Sequence, residues 1–356
     1  MNTLDCLDYT LYFGEDSYQA LNDYLEKNEK NLSKIFILTD ENTNEHCLPI
    51  LLANSALGEV EIIEIESGEQ NKNIETCVQL WETLAELGAD RNSLLINLGG
   101  GVITDMGGFV ATTFKRGIRY INVPTTLLSQ VDASVGGKTG VDLGNLKNEV
   151  GVFSYPELIL IDTQYLNSLD NRQLKSGFAE MLKHGLIMDK LHWETLLYSF
   201  ETLDFDQLGN LIYDSVSIKK KVVEADPKEM GLRKILNFGH TIGHAVESTL
   251  LGTENEILHG EAIVLGMITE AYLSHKVSGL SEDEMNAIKQ ELNRIYPKID
   301  TSILNFDTVM KYMGHDKKNV KGEVKFSLLS SIGKCEFNCV CTLQMIQESF
   351  EFYNQA

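Results

Sequence analysis

The chain runs to 356 residues and carries 52 Asp and Glu against 30 Lys and Arg, a formal net charge of −22 at pH 7. That length allows two domains with a core each. The acidic excess argues against nucleic acid and anionic membrane as partners, though not against an anionic small molecule met by locally grouped lysines and arginines. No apolar run is long enough to span a bilayer, and the start, MNTLDCLDYT, has neither a basic segment nor an apolar signal core, so a cytoplasmic protein is expected.

From residue 10 to about residue 163, short apolar runs alternate with helical patterns. The runs are TLYF, KIFILTD, EVEIIEIE, SLLINLGGG, YINVP and ELILID, and the helical patterns lie near 17–29, 42–55, 74–88 and 103–116. Such alternation predicts an α/β domain with a mainly parallel sheet, whose ligands bind beyond the carboxyl ends of the strands. Three ends are informative. KIFILTDEN finishes in Asp40 and Asn42, EVEIIEIESGEQNKN in a polar loop with Glu69 and Lys72, and SLLINLGGG in Gly99, Gly100 and Gly101 before a helix with Asp105. Glycines at a helix N-terminus suit a phosphate, although the spacing is not G-x-G-x-x-G and a tight turn alone explains many such clusters.

The next stretch, TTFKRGIRYINVPTTLLSQVDASVGGKTGVDLGNLKNEVG, concentrates Lys115, Arg116, Arg119, Lys138 and Lys147. Cations beside Gly136 and Gly137 suggest an anion-binding surface, the alternative being a solvated basic loop. GGKT is not a P-loop, because the residue five before Gly137 is Asp132 rather than glycine.

After Asp162 the pattern turns helical, near 170–187, 193–201, 206–225, 231–250, 259–278, 281–296 and 300–314, with one ribbon, GEVKFSLLSSIGKCEFNCV. We therefore expect residues 1–163 as the α/β domain and 164–356 as a mostly helical one. Of six cysteines, Cys335, Cys339 and Cys341 alternate in that ribbon as in a half-buried strand; with no C-x-x-C and no fourth ligand they read, like Cys6, Cys47 and Cys77, as reduced core thiols.

Three histidines stand out. His240 and His244 fall one turn apart on an apolar helical pattern, and His259 precedes the next helix. Paired histidines on such a helix are often hydrogen-bonded core residues; they are also a start for a divalent-metal site. In SGFAEMLKHGLI, Glu180 and Lys183 lie at i,i+3, a spacing typical of surface pairs, but the flanking Phe178, Ala179, Met181 and Leu182 point to partial burial. With His240 and His259, Glu180 would complete a Glu/His/His set of the catalytic type. Further cations are Lys219, Lys220 and Lys221, at least one of them expected to face water, then Arg233 ahead of Asn237, and Lys317 and Lys318 in GHDKKN.

In order, GGGVITDMGGF, FKRGIRYINVPTTLLSQVDASVGGKTGVD, LKNEVG, SGFAEMLKHG, EADPKEMGLRKILNFGHTIGHAVE, LHGEA and HDKKN make the whole chain resemble the 3-dehydroquinate synthase family of sugar-phosphate cyclases. The resemblance implies zinc or cobalt on Glu180, His240 and His259. It implies NAD at Asp40 and Asn42, at the loop Ser67, Gly68, Glu69, Gln70, Asn71 and Lys72, and at Gly100, Gly101, Val102, Ile103, Thr104 and Asp105. Further NAD positions would be Thr125, Thr126, Lys138, Lys147, Tyr165, Leu166, Asn167 and Ser168. Substrate and its phosphate would meet Asp132, Lys138, Asn148, Lys183, Lys219, Arg233, Asn237, His244 and either Lys317 or Lys318. Arg116 matches the arginine that reaches a neighbouring subunit's phosphate site, so a homodimer is implied. LNSLDNRQL departs from the family's usual stretch and leaves Ser168 where threonine is common.

The implied reaction turns 3-deoxy-D-arabino-heptulosonate 7-phosphate into 3-dehydroquinate and phosphate, in the shikimate route to aromatic amino acids. It is a phosphate elimination with transient oxidation by NAD, re-reduction and aldol closure. His244 is expected to hydrogen-bond and move a proton near the substrate, although its i,i+4 spacing from His240 also permits a metal ligand. The rival readings are another cyclase making a valiolone or an inosose, and a metal-dependent polyol dehydrogenase.

Overall fold

A computed structural model describes residues 2–144, 146–200, 205–315 and 324–355. Two compact units are formed, Met1–Leu174 with Asp204–Lys220, and Lys175–Leu203 with Lys221–Ala356.

The first unit opens with strands β1 (Asn2–Cys6) and β2 (Tyr9–Phe13) and helix α1 (Asp16–Asn28). Then come β3 (Ile35–Asp40), α2 (Glu41–His46), α3 (Leu48–Asn54), β4 (Glu61–Ile65), α4 (Ile74–Glu86), β5 (Leu94–Gly99), α5 (Gly101–Thr113) and β6 (Arg119–Pro124). A hairpin, β7 (Lys138–Leu143) and β8 (Leu146–Phe153), precedes β9 (Leu158–Ile161). Seven strands make one sheet in the order β1-β2-β9-β6-β5-β3-β4. Only β1 and β2 pair antiparallel; β2–β9, β9–β6, β6–β5, β5–β3 and β3–β4 are all parallel.

The mainly parallel sheet expected from the sequence is thus present, and each of the six apolar runs forms one of its strands. Both faces are covered, which is why β5 (LLINLG) and β9 (LILI) are buried at every position. The two-residue period divides the core. Phe36, Leu38 and Leu95 face Cys77, Leu80 and Leu84 of α4 and Ile103, Met106 and Val110 of α5. Ile37, Leu94, Ile96 and Ile121 face Leu21 of α1 and Leu48 and Leu51 of α3. Cutting such a fully buried side chain to alanine costs about 2–5 kcal/mol.

Two features differ from the sequence expectation. The pattern over 42–55 is two helices, because Pro49 has no N–H to continue a helix and serves instead in the first turn of α3. Around Lys138 and Lys147, where the sequence leaves both an anion-binding surface and a solvated basic loop open, the chain forms the β7–β8 hairpin, a pair of strands that the sequence pattern does not predict.

The second unit contains most of α6 (Asn171–Met188), then α7 (Lys190–Ser199). Helix α8 (Phe205–Ala225), most of which belongs to the first unit, leads to α9 (His240–Leu250), α10 (His259–Val277), α11 (Glu282–Ile295) and α12 (Phe306–His315). The antiparallel ribbon β10 (Lys325–Ser331) and β11 (Lys334–Val340) and helix α13 (Leu343–Asn354) close it. Helix α10 is buried from Gly260 through Ser274 at every position but Glu261 and Tyr272, as a helix central to its unit must be. No helix among the described residues is long and apolar enough to cross a membrane. None of the six cysteines is in a disulfide; Cys6, Cys47 and Cys77 are core residues, whereas Cys335 and Cys339 on β11, and Cys341 just after it, are only half-buried.

The periodicity over 231–250 does not form one helix. A 3-10 turn, Leu232–Asn237, ends there, and α9 starts afresh after Gly239, whose φ of 79° lies in the left-handed region. Continuing the apolar spacing through the break disguised it.

Candidate functional site

In the second unit, α6 sends Glu180 and Lys183 inward, at 0% and 1% exposure, so this pair is not on the surface. The Lys183 ammonium pairs with Glu180 Oε2. The other oxygen, Oε1, stands 3.4 Å from His240 Nε2 and 3.3 Å from His259 Nε2. Helix α9 supplies His240 from its first position and α10 supplies His259 from its own. His244 follows one turn after His240, and ring nitrogens of all three imidazoles come within 4.8 Å of one another.

The hydrogen bonds behind the rings fix their tautomers. His240 Nδ1 lies 3.1 Å from the Phe238 carbonyl, which can only accept, so Nδ1 carries the proton. His259 Nδ1 lies 3.2 Å from Glu247 Oε2 and donates in the same way. In the neutral rings, then, both Nε2 lone pairs and a carboxylate oxygen converge on one small region. Three acceptors facing each other repel unless positive charge, a proton on one ring or a metal ion, lies among them. Glu/His/His donors backed by a carbonyl and a carboxylate are the arrangement in which a dication such as zinc is held with a position left open. The residues fit a metal.

Electrostatics agree. Burial, then the Lys183 charge, holds His240 well below the ordinary imidazole range. Burial pulls His259 the same way, but Glu247 and Glu180 outweigh it and bring it up to about 9. One imidazole is kept neutral while the other sits in a field that favours positive charge.

Upstream of α9, the Asp226 carboxylate accepts from the backbone N–H groups of Met230 at 2.9 Å, Gly231 at 2.6 Å and Arg233 at 3.1 Å. Burial pushes its pKa up, yet these donors hold it below its usual range. The pinned turn directs Arg233, 2% exposed, whose guanidinium donates to the Pro227 carbonyl at 2.7 Å, and Asn237 donates to Glu229 at 2.7 Å.

In the first unit the expected residues gather in groups at the sheet's carboxyl edge. Lys72, 4% exposed, donates to Asp105 at 2.6 Å and to Asn148 at 2.7 Å. Burial lowers that ammonium's pKa, but Asp105, Glu69 and Asp142 together raise it above its ordinary value. Lys147 pairs with Glu69 at 2.9 Å. Asn148, with a φ of 55°, gives its backbone N–H to Asp142 at 2.7 Å, and burial pushes the Asp142 carboxyl up to about 6. Lys219, 5% exposed, holds Asp132 through the side chain at 2.7 Å and the carbonyl at 2.5 Å, while Lys221 is exposed.

The loop Ser67–Lys72 is organised by Asn71, which donates to the Ser67 carbonyl at 2.8 Å, and by Glu41, which accepts from Ser67. Gly100 caps α5 without a side chain, so the backbone N–H groups of Gly101, Val102 and Ile103 have no side-chain acceptor at the cap. Asp40 caps α2 by accepting from the Thr43 N–H at 2.8 Å. Thr126 bonds Ser129, and Thr104 bonds the Gly100 carbonyl. Tyr165 is 1% exposed, its hydroxyl accepting from Tyr18, and Leu166 is equally buried, so neither side chain is open to a ligand. Asn167 donates to the Gln164 carbonyl, and Ser168 lies 3.5 Å from the Tyr165 carbonyl. Asn42, Gln70, Lys138 and Arg116 are exposed, Arg116 with a left-handed backbone. Lys317 and Lys318 lie outside the described residues.

Four participants were not singled out from the sequence: Glu247 behind His259, Asp142 behind Asn148, Glu41 under Ser67, and Cys47. Burial, then Asp40, pushes the Cys47 thiol up to about 11 while Thr125 and Ser168 hydrogen-bond it, which gathers three expected NAD positions around one sulfur. Only Glu247 left a trace, on a helix three residues after His244.

Comparison with known proteins follows the same outline. A model described as 3-dehydroquinate synthase N-terminal matches residues 62–176, and its C-terminal counterpart matches residues 177–319. The 3-dehydroquinate synthase of Parabacteroides distasonis is 44% identical over 343 residues, 96% of this chain and 97% of that one. Among solved structures, a 2-deoxy-scyllo-inosose synthase complexed with carbaglucose-6-phosphate, NAD+ and Co2+ superposes with a TM-score of 0.86 at 28% identity, covering 98% of this chain and 99% of that one. A 2-epi-5-epi-valiolone synthase from Streptomyces hygroscopicus subsp. jinggangensis with NAD+ and Zn2+ bound gives 0.86 at 26%, covering 99% and 98%. Matched by the N-terminal and the C-terminal family models and by a curated relative along nearly its whole length, the chain belongs to the 3-dehydroquinate synthase family.

Proposed function

We infer that the chain performs the reaction for which its relatives are named, converting 3-deoxy-D-arabino-heptulosonate 7-phosphate into 3-dehydroquinate and phosphate, as a lyase dependent on NAD and one zinc or cobalt ion. The observation that carries the reading is a buried carboxylate meeting two imidazoles, Glu180 with His240 and His259, in a chain 44% identical to a 3-dehydroquinate synthase. When bound, NAD supplies reversible hydride transfer, and the dication supplies Lewis-acid activation of a hydroxyl.

Glu180, His240 and His259 would hold the metal, and the strand-end residues of the first unit, from Asp40 and the Ser67–Lys72 loop to Asp105 and Thr125, would hold NAD. The first unit is accordingly the NAD-binding domain and the second the metal- and substrate-binding one. Lys183, Lys219 and Arg233 suit a substrate bearing both carboxylate and phosphate, Arg233 by a two-pronged grip. Asp226 keeps Arg233 in place before substrate arrives, so less order has to be imposed on binding. His244, beside the metal set, accepts or returns a proton at its ring nitrogen. Arg116 reaches the phosphate site of a second copy in a cytoplasmic homodimer.

Incubation with the heptulosonate phosphate and a trace of NAD tests this. Phosphate should be released with no net NADH, the activity should vanish on chelation, and zinc or cobalt should restore it. NADH building up until the trace of NAD is used, without phosphate release, would make the chain a dehydrogenase instead. The other cyclases are less favoured, because the inosose and valiolone synthases stand at 28% and 26% identity.

A further inference from the structure

Helix α9 begins without a side-chain cap of its own. Its first flanking residue is Gly239, and its first helical residue is His240. The N–H groups of a helix's first turn have no partners within the helix, and leaving them bare inside a protein costs free energy. Here two of them are met from another helix. Glu270, on α10 and 0% exposed, accepts from the Gly239 N–H through Oε2 at 2.7 Å and from the Ile242 N–H through Oε1 at 3.1 Å. One carboxylate thus brackets His240, fixing the backbone just before it and two residues after it.

The two helices are built to allow this. A side chain at Gly266 would strike the Gly239 carbonyl at 1.8 Å, and one at Gly239 would meet Met267 at 2.6 Å. Backbone therefore packs against backbone, and Glu270 sits close enough to reach both donors. The same helix α10 opens with His259, so one rigid rod carries one imidazole and fixes the other. Charge matters too. His240 stands at the positive end of the α9 dipole, an unfavourable place to gather a dication. A carboxylate whose two oxygens both accept from that end offsets the dipole.

We propose that Glu270 is a positioning residue for the metal centre, holding His240 in register with His259 and cancelling the α9 dipole beneath the cation. This rests on the metal reading given under Proposed function. Glu270 acts through the backbone on either side of His240, at Gly239 and Ile242.

The test measures cobalt binding to the full chain, by chelator competition and by the visible ligand-field absorption of bound Co2+. The variants are Glu270→Gln, which keeps the shape and loses the charge, Glu270→Asp, which keeps the charge on a shorter arm, and Thr342→Ala. Thr342 caps α13 by accepting from the Met345 N–H, so its loss lowers stability at a distance from the metal. The expected result is cobalt affinity weaker by about 10- to 100-fold in Glu270→Gln, with a shifted absorption band. Affinity should recover in part in Glu270→Asp and stay unchanged in Thr342→Ala. Wild-type affinity and spectrum in Glu270→Gln, whatever its melting temperature, would overturn the proposal and leave the metal site standing. Failure of the wild-type chain to bind cobalt would remove the site itself, and the proposal with it.

Discussion

His192 gives a sharp handle on the helices that carry the site. It sits on α7 at 6% exposure, next in space to His184 of α6, and its Nε2 has no hydrogen-bond partner among the described residues. Burial, then the neighbouring His184, lowers its pKa from 6.5 to about 4. In the unfolded chain the ring protonates through pH 6.5; in the folded chain it stays neutral down to about pH 4. The unfolded state therefore binds more protons between these values, and stability falls as the solution is acidified through that window. With 1.36 kcal/mol per pKa unit, the loss between pH 7.5 and pH 4.5 is about 2.5 kcal/mol from this one group. Urea unfolding of wild type and of His192→Leu at pH 7.5, 5.5 and 4.5 isolates it, because the titrations of groups that do not interact with His192 are common to both. The leucine chain should start at its own level and lose about 2.5 kcal/mol less on the way down. Parallel curves across the whole window would refute the argument from burial.

Further outcomes follow from the site. Glu180→Gln should bring bound zinc from about one per chain towards zero, read by metal analysis after dialysis, since two neutral imidazoles alone make a poor site. His244→Ala should keep about one metal per chain while turnover drops by about 10²–10⁴, the range of a lost proton-transfer group; loss of the metal would make His244 a ligand. Lys72→Met should destabilise the first unit by about 3–5 kcal/mol, because Asp105 is left buried without its partner, and should weaken NAD binding measured by fluorescence titration. Asp226→Asn should raise KM for substrate more than it lowers kcat, as Arg233 loses its fixed starting position.

The sequence disclosed most where one physical requirement acts alone. β3, β5, β6 and β9 are covered on both faces, so they can only be apolar runs, and each was legible as such. The β7–β8 hairpin was not, since its sequence is rich in glycine and its second strand is half open to water, leaving no two-residue alternation to read. The start of α9 was hidden for a different reason. The spacing of Ile235, Leu236, Phe238 and Ile242 continues a helical period across Gly239, and the break is dictated by a carboxylate 31 residues further on. Glu180 and Lys183 were visible as a pair, but their complete burial depends on α9 and α10 closing over them. Likewise, three adjacent lysines look alike until Lys219 is found on Asp132 and Lys221 in solvent. Long-range partners such as Glu247 and Cys47 leave little local pattern, because what selects them is a neighbour distant in sequence or on another element.

All three candidate metal donors belong to helices of a single unit, and they are separated along the chain by loops and by α7 and α8. A dication gripped there would act as a removable stitch through α6, α9 and α10, adding RT ln(1 + [M]/Kd) to the resistance of that unit to unfolding. Zinc scarcity would then reach this protein as a problem of survival as well as of turnover: the apo chain would open more often, meet proteases more often, and decline in amount before any substrate was missed.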